Sequence, residues 1–580
     1  MSKKQTIESA KKKNTRQINL TEPWYVRYAI PTLALLIFAV YARSLSLGYT
    51  YLDDTVFMFD KAPENEHLSN IFKAFLEGTF GVKDVYYRPL FRITFIFERQ
   101  FLFLFPIEDF AVNAMRLAHV IEILLHIVSV ALLFKLLQKL SFSKSSAFIW
   151  SAVYAVHPVL TMAVAWIPGR NDLMLSIFLI SFFLHFFNYL ESQKRKDLIW
   201  QFIFLMLALL TKESGVFIPF AAIFYLLIFN KKNLLNKNMF LIYSVWLIEL
   251  VVWFFLRQNI IDPKQINQSF NETIFTAIER VSGLIQYTGK IFLPVNLTVY
   301  PTIADTSYLF GLIAIGFLII LIALNKNRNW KMILFGLGWF ILFIFPFFFV
   351  PKKINDALYE HRLYIPMIGI ILITREALPF IEKFISDFYK YIIGALIILF
   401  SIATINYMQY FNDEISYYTK AVKDSPSSAY ATKMLGIRLV YKSREKEAIP
   451  YFKKSFEMDT TQMYTRYFLA KLIYQKQKNY KEAKRLLHEE IKLSPTFTEN
   501  YLDLAFIAYM ENDYTSLIYN LKKVIELLPE DKMSNNNLLK AYLDTKNKKE
   551  ATKQIDYMRL KGIYIDQEIV NAVNKLQDTF

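Results

Sequence analysis

Leu207-Ala208-Leu209-Leu210-Thr211-Lys212-Glu213-Ser214-Gly215-Val216-Phe217 interrupts an apolar run that extends from about residue 198 to about residue 229. That run is too long for one crossing of a bilayer, whose hydrocarbon core takes about 20 helical residues. Basic clusters flank it on both sides: Lys194, Arg195 and Lys196 before it, and Lys231, Lys232 and Lys237 after it. Positive residues collect on one side of a membrane, so two positive flanks require an even number of crossings. The run reads as a helical hairpin with Lys212 and Glu213 at its outer tip.

The same counting extends in both directions. Of the 580 residues, 54% are hydrophobic and 17% aromatic, and the apolar ones cluster before about residue 406. Spans are expected at about 28–47, 115–138, 145–166, 173–190, 239–256, 307–324, 332–350, 363–376 and 389–406. With the two arms of the hairpin the tally is about eleven. The short loops carrying Lys139 and Lys144, Lys326, Arg328 and Lys331, or Arg375, Lys383 and Lys390 all fall on the side of the basic tail. That tail, residues 1–27, shows no small-residue cleavage site and is expected to stay cytoplasmic. The net charge of +17 is explained by these loops without invoking nucleic acid. The absence of cysteine excludes disulfides, thiolate zinc sites and a thiol nucleophile.

The first outer loop, about 48–112, opens with Tyr49-Thr50-Tyr51-Leu52-Asp53-Asp54-Thr55 and later carries Tyr86-Tyr87-Arg88. Ile71, Phe72, Phe75 and Leu76 form one side of an amphipathic stretch that would lie on the membrane surface, and Phe91–Phe105 reads as interfacial. Asp53 and Asp54 fit a simple loop start or a helix cap. They also fit a general base with a neighbour that orients it, binds the acceptor or ligates a divalent cation. Topology gathers Arg170, Lys212-Glu213 and Glu360-His361-Arg362 on the same outer face. Each cation alone could be an anchor at a span end; together they suit a phosphate, with Glu213 and Glu360 holding them in place. His126, His157 and His185 read as packing residues without metal-ligand spacing. Asn267-Gln268-Ser269 and Asn271-Glu272-Thr273 match the N-glycosylation pattern in a further outer loop.

After about residue 407 the chain becomes polar and periodic. Ala448, Ala483, Leu517 and Ala551 recur 35, 34 and 34 residues apart, and Pro495 and Pro529 lie 34 apart. This is the tetratricopeptide period, with about four helix–turn–helix units. The expected fold is all-α: a polytopic membrane domain over 28–406 followed by a tetratricopeptide solenoid over 407–580.

Five stretches, together with the repeat domain, resemble the tetratricopeptide-containing transmembrane O-mannosyltransferases and their bacterial relatives. They are Tyr86-Tyr87-Arg88-Pro89-Leu90-Phe91, Ala155-Val156-His157-Pro158, Ala163 to Leu173 (including Trp166, Gly169, Arg170 and Asp172), Leu210-Thr211-Lys212-Glu213 and Glu360-His361-Arg362-Leu363-Tyr364-Ile365-Pro366. The resemblance implies a glycosyltransferase of the GT-C class, a polyprenyl-phosphate sugar as donor, and inverting transfer outside the cytoplasm. It puts the acid pair at Asp53 and Asp54 and suggests a bacterial inner membrane. The expected activity moves one hexose, such as mannose, to a Ser or Thr of an exported polypeptide captured by the solenoid. Donor phosphate is assigned to Arg170, Lys212, His361 and Arg362, with Arg88, Glu213 and Glu360 in support. A glycan or lipid acceptor, or a non-catalytic scaffold, is the alternative. The chain departs from the family at two places: Met162 stands where relatives often carry Glu after the His-Pro, and His361-Arg362 replaces the commoner Glu-Arg arrangement.

Overall fold

In the computed structural model, the described residues are 23–81, 83–105, 109–262, 269–352, 357–379 and 388–576. The basic tail up to residue 22, Asn267 and Lys383 lie outside them. Among the described residues the only β-type pairing is an isolated bridge between Asp84 and Ile261. The chain divides into two compact units, Met1–Tyr417 and Tyr418–Phe580.

The principal helices of the first unit are α1 Ala29–Tyr41, α2 Pro89–Leu102, α3 Phe110–Lys139, α4 Lys144–Ala155, α5 Arg170–Ser192, α6 Arg195–Leu209, α7 Phe217–Phe229, α8 Lys237–Gln258, α9 Phe270–Phe292, α10 Leu309–Leu324, α11 Trp330–Phe348, α12 Pro366–Ala377 and α13 Tyr389–Met408. All eleven stretches expected to cross a membrane are helical. Six helices are long and apolar enough to do so by themselves: Ala29–Ser46, Phe110–Lys139, Ile167–Ser192, Lys237–Gln258, Trp330–Phe348 and Tyr391–Phe411. The pair Lys144–Ala155 and Pro158–Ala165 meets the same test only when taken together, and it is bent by 54°. Pro158 causes the bend, because it has no N–H and its ring collides with the preceding turn. The stretch expected as a hairpin comprises the two short helices α6 and α7, joined through the 3₁₀ turn Glu213–Val216.

The stretch 257–306, expected as an outer loop, contains the 23-residue helix α9. Its polarity is inverted relative to a soluble helix. Arg280, Gln286 and Lys290 are buried, whereas Phe270, Phe275, Ile278 and Val281 are exposed. The inward polar face lowers mean hydropathy, so a span pattern does not register. Ser269 and Glu272 close a capping box at its start. Aromatic rings bind the helices together: Phe183 lies 5.0 Å from Trp339 and Phe182 5.5 Å from Trp246. Lipid tails are as apolar as leucine, so shape-matched packing rather than water exclusion holds such contacts. Gly336 on α11 and Gly369 on α12 allow a close approach. A methyl on either would strike the other's carbonyl oxygen. That contact fixes α12, and with it the turn Glu360–Leu363 just before it.

The second unit is a run of antiparallel helix pairs. The second helix of each pair begins at residue 445, 480, 514 or 548, so the spacing is 34 or 35 residues. Ala448, Ala483 and Ala551 are fully buried, because a small side chain lets paired helices approach. Each turn within a pair is built alike. Ser443, Lys478, Asn512 and Lys546 adopt positive φ. In three pairs the next residue, Asn479, Asp513 or Asn547, then accepts a hydrogen bond from the third helical N–H. In the first pair Arg444 occupies that position, and no side-chain cap forms.

Candidate active site

The segment after the first span makes a tight turn in which Tyr51 and Asp53 both have positive φ, 57° and 67°. Asp tolerates the left-handed region, whereas Tyr rarely visits it. The turn is tied by Asp54. Its Oδ2 accepts from the Thr50 N–H at 2.6 Å and the Thr50 hydroxyl at 2.9 Å, and its Oδ1 accepts from the Thr55 N–H at 2.9 Å. Three residues on, Phe57 enters an aromatic cluster with Phe91 and Phe95 of α2, stacking on Phe95 at 5.1 Å. The two carboxylates therefore have different surroundings. Asp54 is buried and spoken for. Asp53 keeps exposed surface in a crowded recess, and among the described residues no donor is hydrogen-bonded to its carboxylate. Crowding by protein raises the Asp53 carboxyl to about 6, against the pull of Arg88 and with a push from Asp84. Burial raises Asp54 to about 7 despite its three donors, and Asp53 adds to the rise.

Three cations gather near this turn. Arg88 makes a two-pronged bridge to Glu213, at 3.0 and 2.8 Å, and its guanidinium lies 4.3 Å from the centre of the Tyr86 ring. Lys212 pairs with Asp172 at 2.6 Å. Arg362 donates to the Ala357 carbonyl at 2.6 Å and packs over the Phe347 ring. It pairs with no carboxylate among the described residues. Together Lys212, Arg362 and Arg88, after burial itself, hold the His361 imidazole well below its usual pKa. His361 sits between the rings of Trp166, at 5.2 Å, and Tyr359, at 5.5 Å. The Trp166 indole N–H donates to the Leu52 carbonyl at 2.7 Å, so the acid turn and His361 share one support.

Asp53, Arg88, Lys212, Glu213, His361 and Arg362 are thus brought together. Arg170 and Glu360 are not. Arg170 is fully buried and bonded to Glu122 at 2.7 Å and Glu98 at 2.8 Å. Helix geometry explains this: residues two apart on α5 point about 200° apart, so Arg170 faces α2 and α3 while Asp172 faces Lys212. The turn Glu360–Leu363 is 3₁₀, in which successive side chains diverge by about 120°. Glu360 therefore leaves the cluster and pairs with Lys290 of α9 at 2.7 Å, also accepting from Thr298 N–H and the Tyr407 hydroxyl. Asp172 and Lys290 were not singled out from sequence. Asp172 had a signal, being in the Arg170-Asn171-Asp172 stretch; Lys290 had none.

His126 and His157 are satisfied packing residues. His126 accepts from the Tyr364 hydroxyl at 2.7 Å and donates to the Ala155 carbonyl at 2.9 Å. His157 accepts from the Val159 N–H and donates to the Ile291 carbonyl at 2.8 Å. His185 lies 2.8 Å from the Asp197 carboxylate. Among the described residues no three acids or histidines converge as metal ligands.

A family model described as Dolichyl-phosphate-mannose-protein mannosyltransferase matches residues 107–255, which include Asp172, Lys212 and Glu213. The Homo sapiens protein named Protein O-mannosyl-transferase TMTC3 is 29% identical over 191 residues. Over these stretches the chain is similar to protein O-mannosyltransferases. The match takes in 31% of this chain and 19% of the human protein, so the chain spans about a fifth of that relative's length. Solved structures titled Crystal structure of MamA and Crystal structure of MamA protein align at 19% and 20% identity, each with a TM-score of 0.23. They cover 28% and 29% of this chain and 88% and 86% of their own, an overlap too slight to bear on its fold. The family model's match lies within the first unit.

Proposed function

We propose that this chain is a membrane glycosyltransferase that moves one hexose, mannose by its relatives, from a polyprenyl phosphate to a Ser or Thr hydroxyl of an exported polypeptide. Asp53 takes the proton of the acceptor hydroxyl as its oxygen attacks the anomeric carbon. The bond from that carbon to the phosphate oxygen breaks, and its electron pair leaves with the polyprenyl phosphate. Attack opposite the leaving group inverts the anomeric centre. The observation that carries this reading is the division of labour in the acid pair. Asp54 spends both oxygens on the turn, whereas Asp53 is open, near neutral in its titration and beside Arg88. A base works best with a pKa close to the operating pH.

Arg362 and Lys212 are the phosphate cations of this proposal. Among the described residues no carboxylate neutralises Arg362, and Lys212 retains two N–H donors beyond Asp172. Their charge stabilises the leaving phosphate, which makes a general acid unnecessary. Arg88 and Glu213 hold the floor of the site. Arg170 is a positioning residue, joining α5 to α2 and α3. The outer face, the basic side in the cytoplasm and acceptor capture by the repeats belong to the same proposal. The test is transfer by purified protein in detergent, with polyprenyl-phosphate mannose and a Ser/Thr peptide. Hexose on the peptide with inverted configuration is expected. No transfer to any hydroxyl acceptor, from well-folded protein that binds the donor, overturns it.

A further inference from the structure

His361 is buried, rigid and chemically one-sided. Its Nδ1 lies 3.4 Å from the Met162 sulfur. A thioether carries no hydrogen and only accepts, so the hydrogen of that contact is on Nδ1. The imidazole has one proton to place while it is neutral, which leaves Nε2 with a lone pair. Protonation of Nε2 would add a fourth charge beside Lys212, Arg362 and Arg88 in a buried position, and those neighbours oppose it. No described residue bonds Nε2. The rings of Trp166 and Tyr359 fix the plane of the imidazole, and Trp166 is tied to Leu52 beside the acid pair.

A phosphate at neutral pH offers oxygens that accept hydrogen bonds. Facing a lone pair on Nε2, it would meet an acceptor with an acceptor. A hydroxyl has the complementary hydrogen. We propose that His361 is a specificity residue that accepts a hydrogen bond at Nε2 from one hydroxyl of the transferred sugar, with Met162 positioning the ring by fixing its tautomer. This rests on the glycosyltransferase reading above. The two places where the chain departs from its relatives, Met162 and His361, thereby form one device. Donor phosphate remains with the cations.

The test compares full-length protein and its His361→Phe variant on polyprenyl-phosphate hexose and on the four donors lacking one ring hydroxyl or the 6-hydroxyl. A site built to bond a hydroxyl discriminates against its loss. Wild type should lose about tenfold in kcat/KM on one deoxy donor through this contact. His361→Phe should lose a similar factor on the parent donor and show no further loss on that same deoxy donor, while keeping the penalties at other positions. His361→Gln retains an acceptor and should restore part of the discrimination; it also serves if Phe disturbs the packing. Met162→Leu should weaken the same penalty and no other. If every deoxy penalty persists in the His361 and Met162 variants, the assignment is wrong although the enzyme reading stands. Failure of wild type to use any polyprenyl-phosphate hexose removes both.

Discussion

Neighbours in the chain part company at the residue scale. Asp53→Asn should fold, since Asn tolerates positive φ as well as Asp does, and transfer should fall by about 10²–10⁴-fold. The same variant should be more heat-stable than wild type above about pH 6. The native Asp53 titrates near 6, above the unfolded value of about 3.9. The native state therefore favours the protonated form, and stability present below about pH 4 is lost as pH rises to about 6. Thermal melts at pH 4 and pH 8 check this: a gain for the variant is expected only at pH 8. The two arginines also differ. Losing the Arg362 contact to a phosphate should cost about 1.5–3 kcal/mol, roughly ten- to a hundredfold in donor use, with the fold intact. Arg170→Ala strands Glu98 and Glu122 without their cation, and breaking such a buried pair costs about 3–5 kcal/mol. Its expected readout is loss of folded protein in size-exclusion profiles, whereas Arg362→Ala should elute as wild type. The opposite pattern would exchange their roles.

Local signals govern individual elements. Asn479, Asp513 and Asn547 cap successive helices, and Asn479→Ala or Asp513→Ala should cost about 0.5–2 kcal/mol each. Hydrogen exchange at amides 480–483 or 514–517 of the full chain should quicken in the respective variant. Arg444→Asn would supply the cap missing from the first pair, next to the positive-φ Ser443, and slow exchange at the start of helix Glu445–Met458. Unchanged exchange would mean that packing of Ala448 and Phe452 alone holds that turn. Among the membrane helices the informative element is α9. Its buried Arg280 donates to the Phe347 and Val350 carbonyls, and its Lys290 holds Glu360. Helix α9 thus reaches the turn that carries His361.

For the whole molecule the basic loops predict one sidedness. A phosphatase reporter fused after residue 580 should be active outside the membrane, and one inserted near residue 234 inactive. The reverse would dismantle the proposed outer site. Solenoids present long surfaces that suit extended chains. Deleting about 420–580 should leave transfer to short peptides near wild type and depress glycosylation of full-length acceptors. Equal loss on both would assign the repeats to the folding of the enzyme instead.

Much of this was legible in the residues themselves. The eleven apolar stretches, the helix break at Lys212 and Glu213, and the 34-residue repeat are one-dimensional patterns, set by bilayer thickness and helix period. The acid pair, Lys212, His361 and Arg362 are readable as polar residues at span ends, and Arg88 as part of the first outer loop. The directions of side chains were not. Two helical steps, about 200°, on α5 separate Arg170 from Asp172, a 3₁₀ turn sends Glu360 and His361 apart, and a positive φ turns Asp53 outward while Asp54 ties the loop. The partners of the cations are carboxylates distant in sequence, Glu98 and Glu122 for Arg170 and Asp172 for Lys212. Helix α9 stayed hidden because its polar face is buried. Each of these was decided by tertiary packing, because charge pairing and burial depend on distances that chain order does not contain.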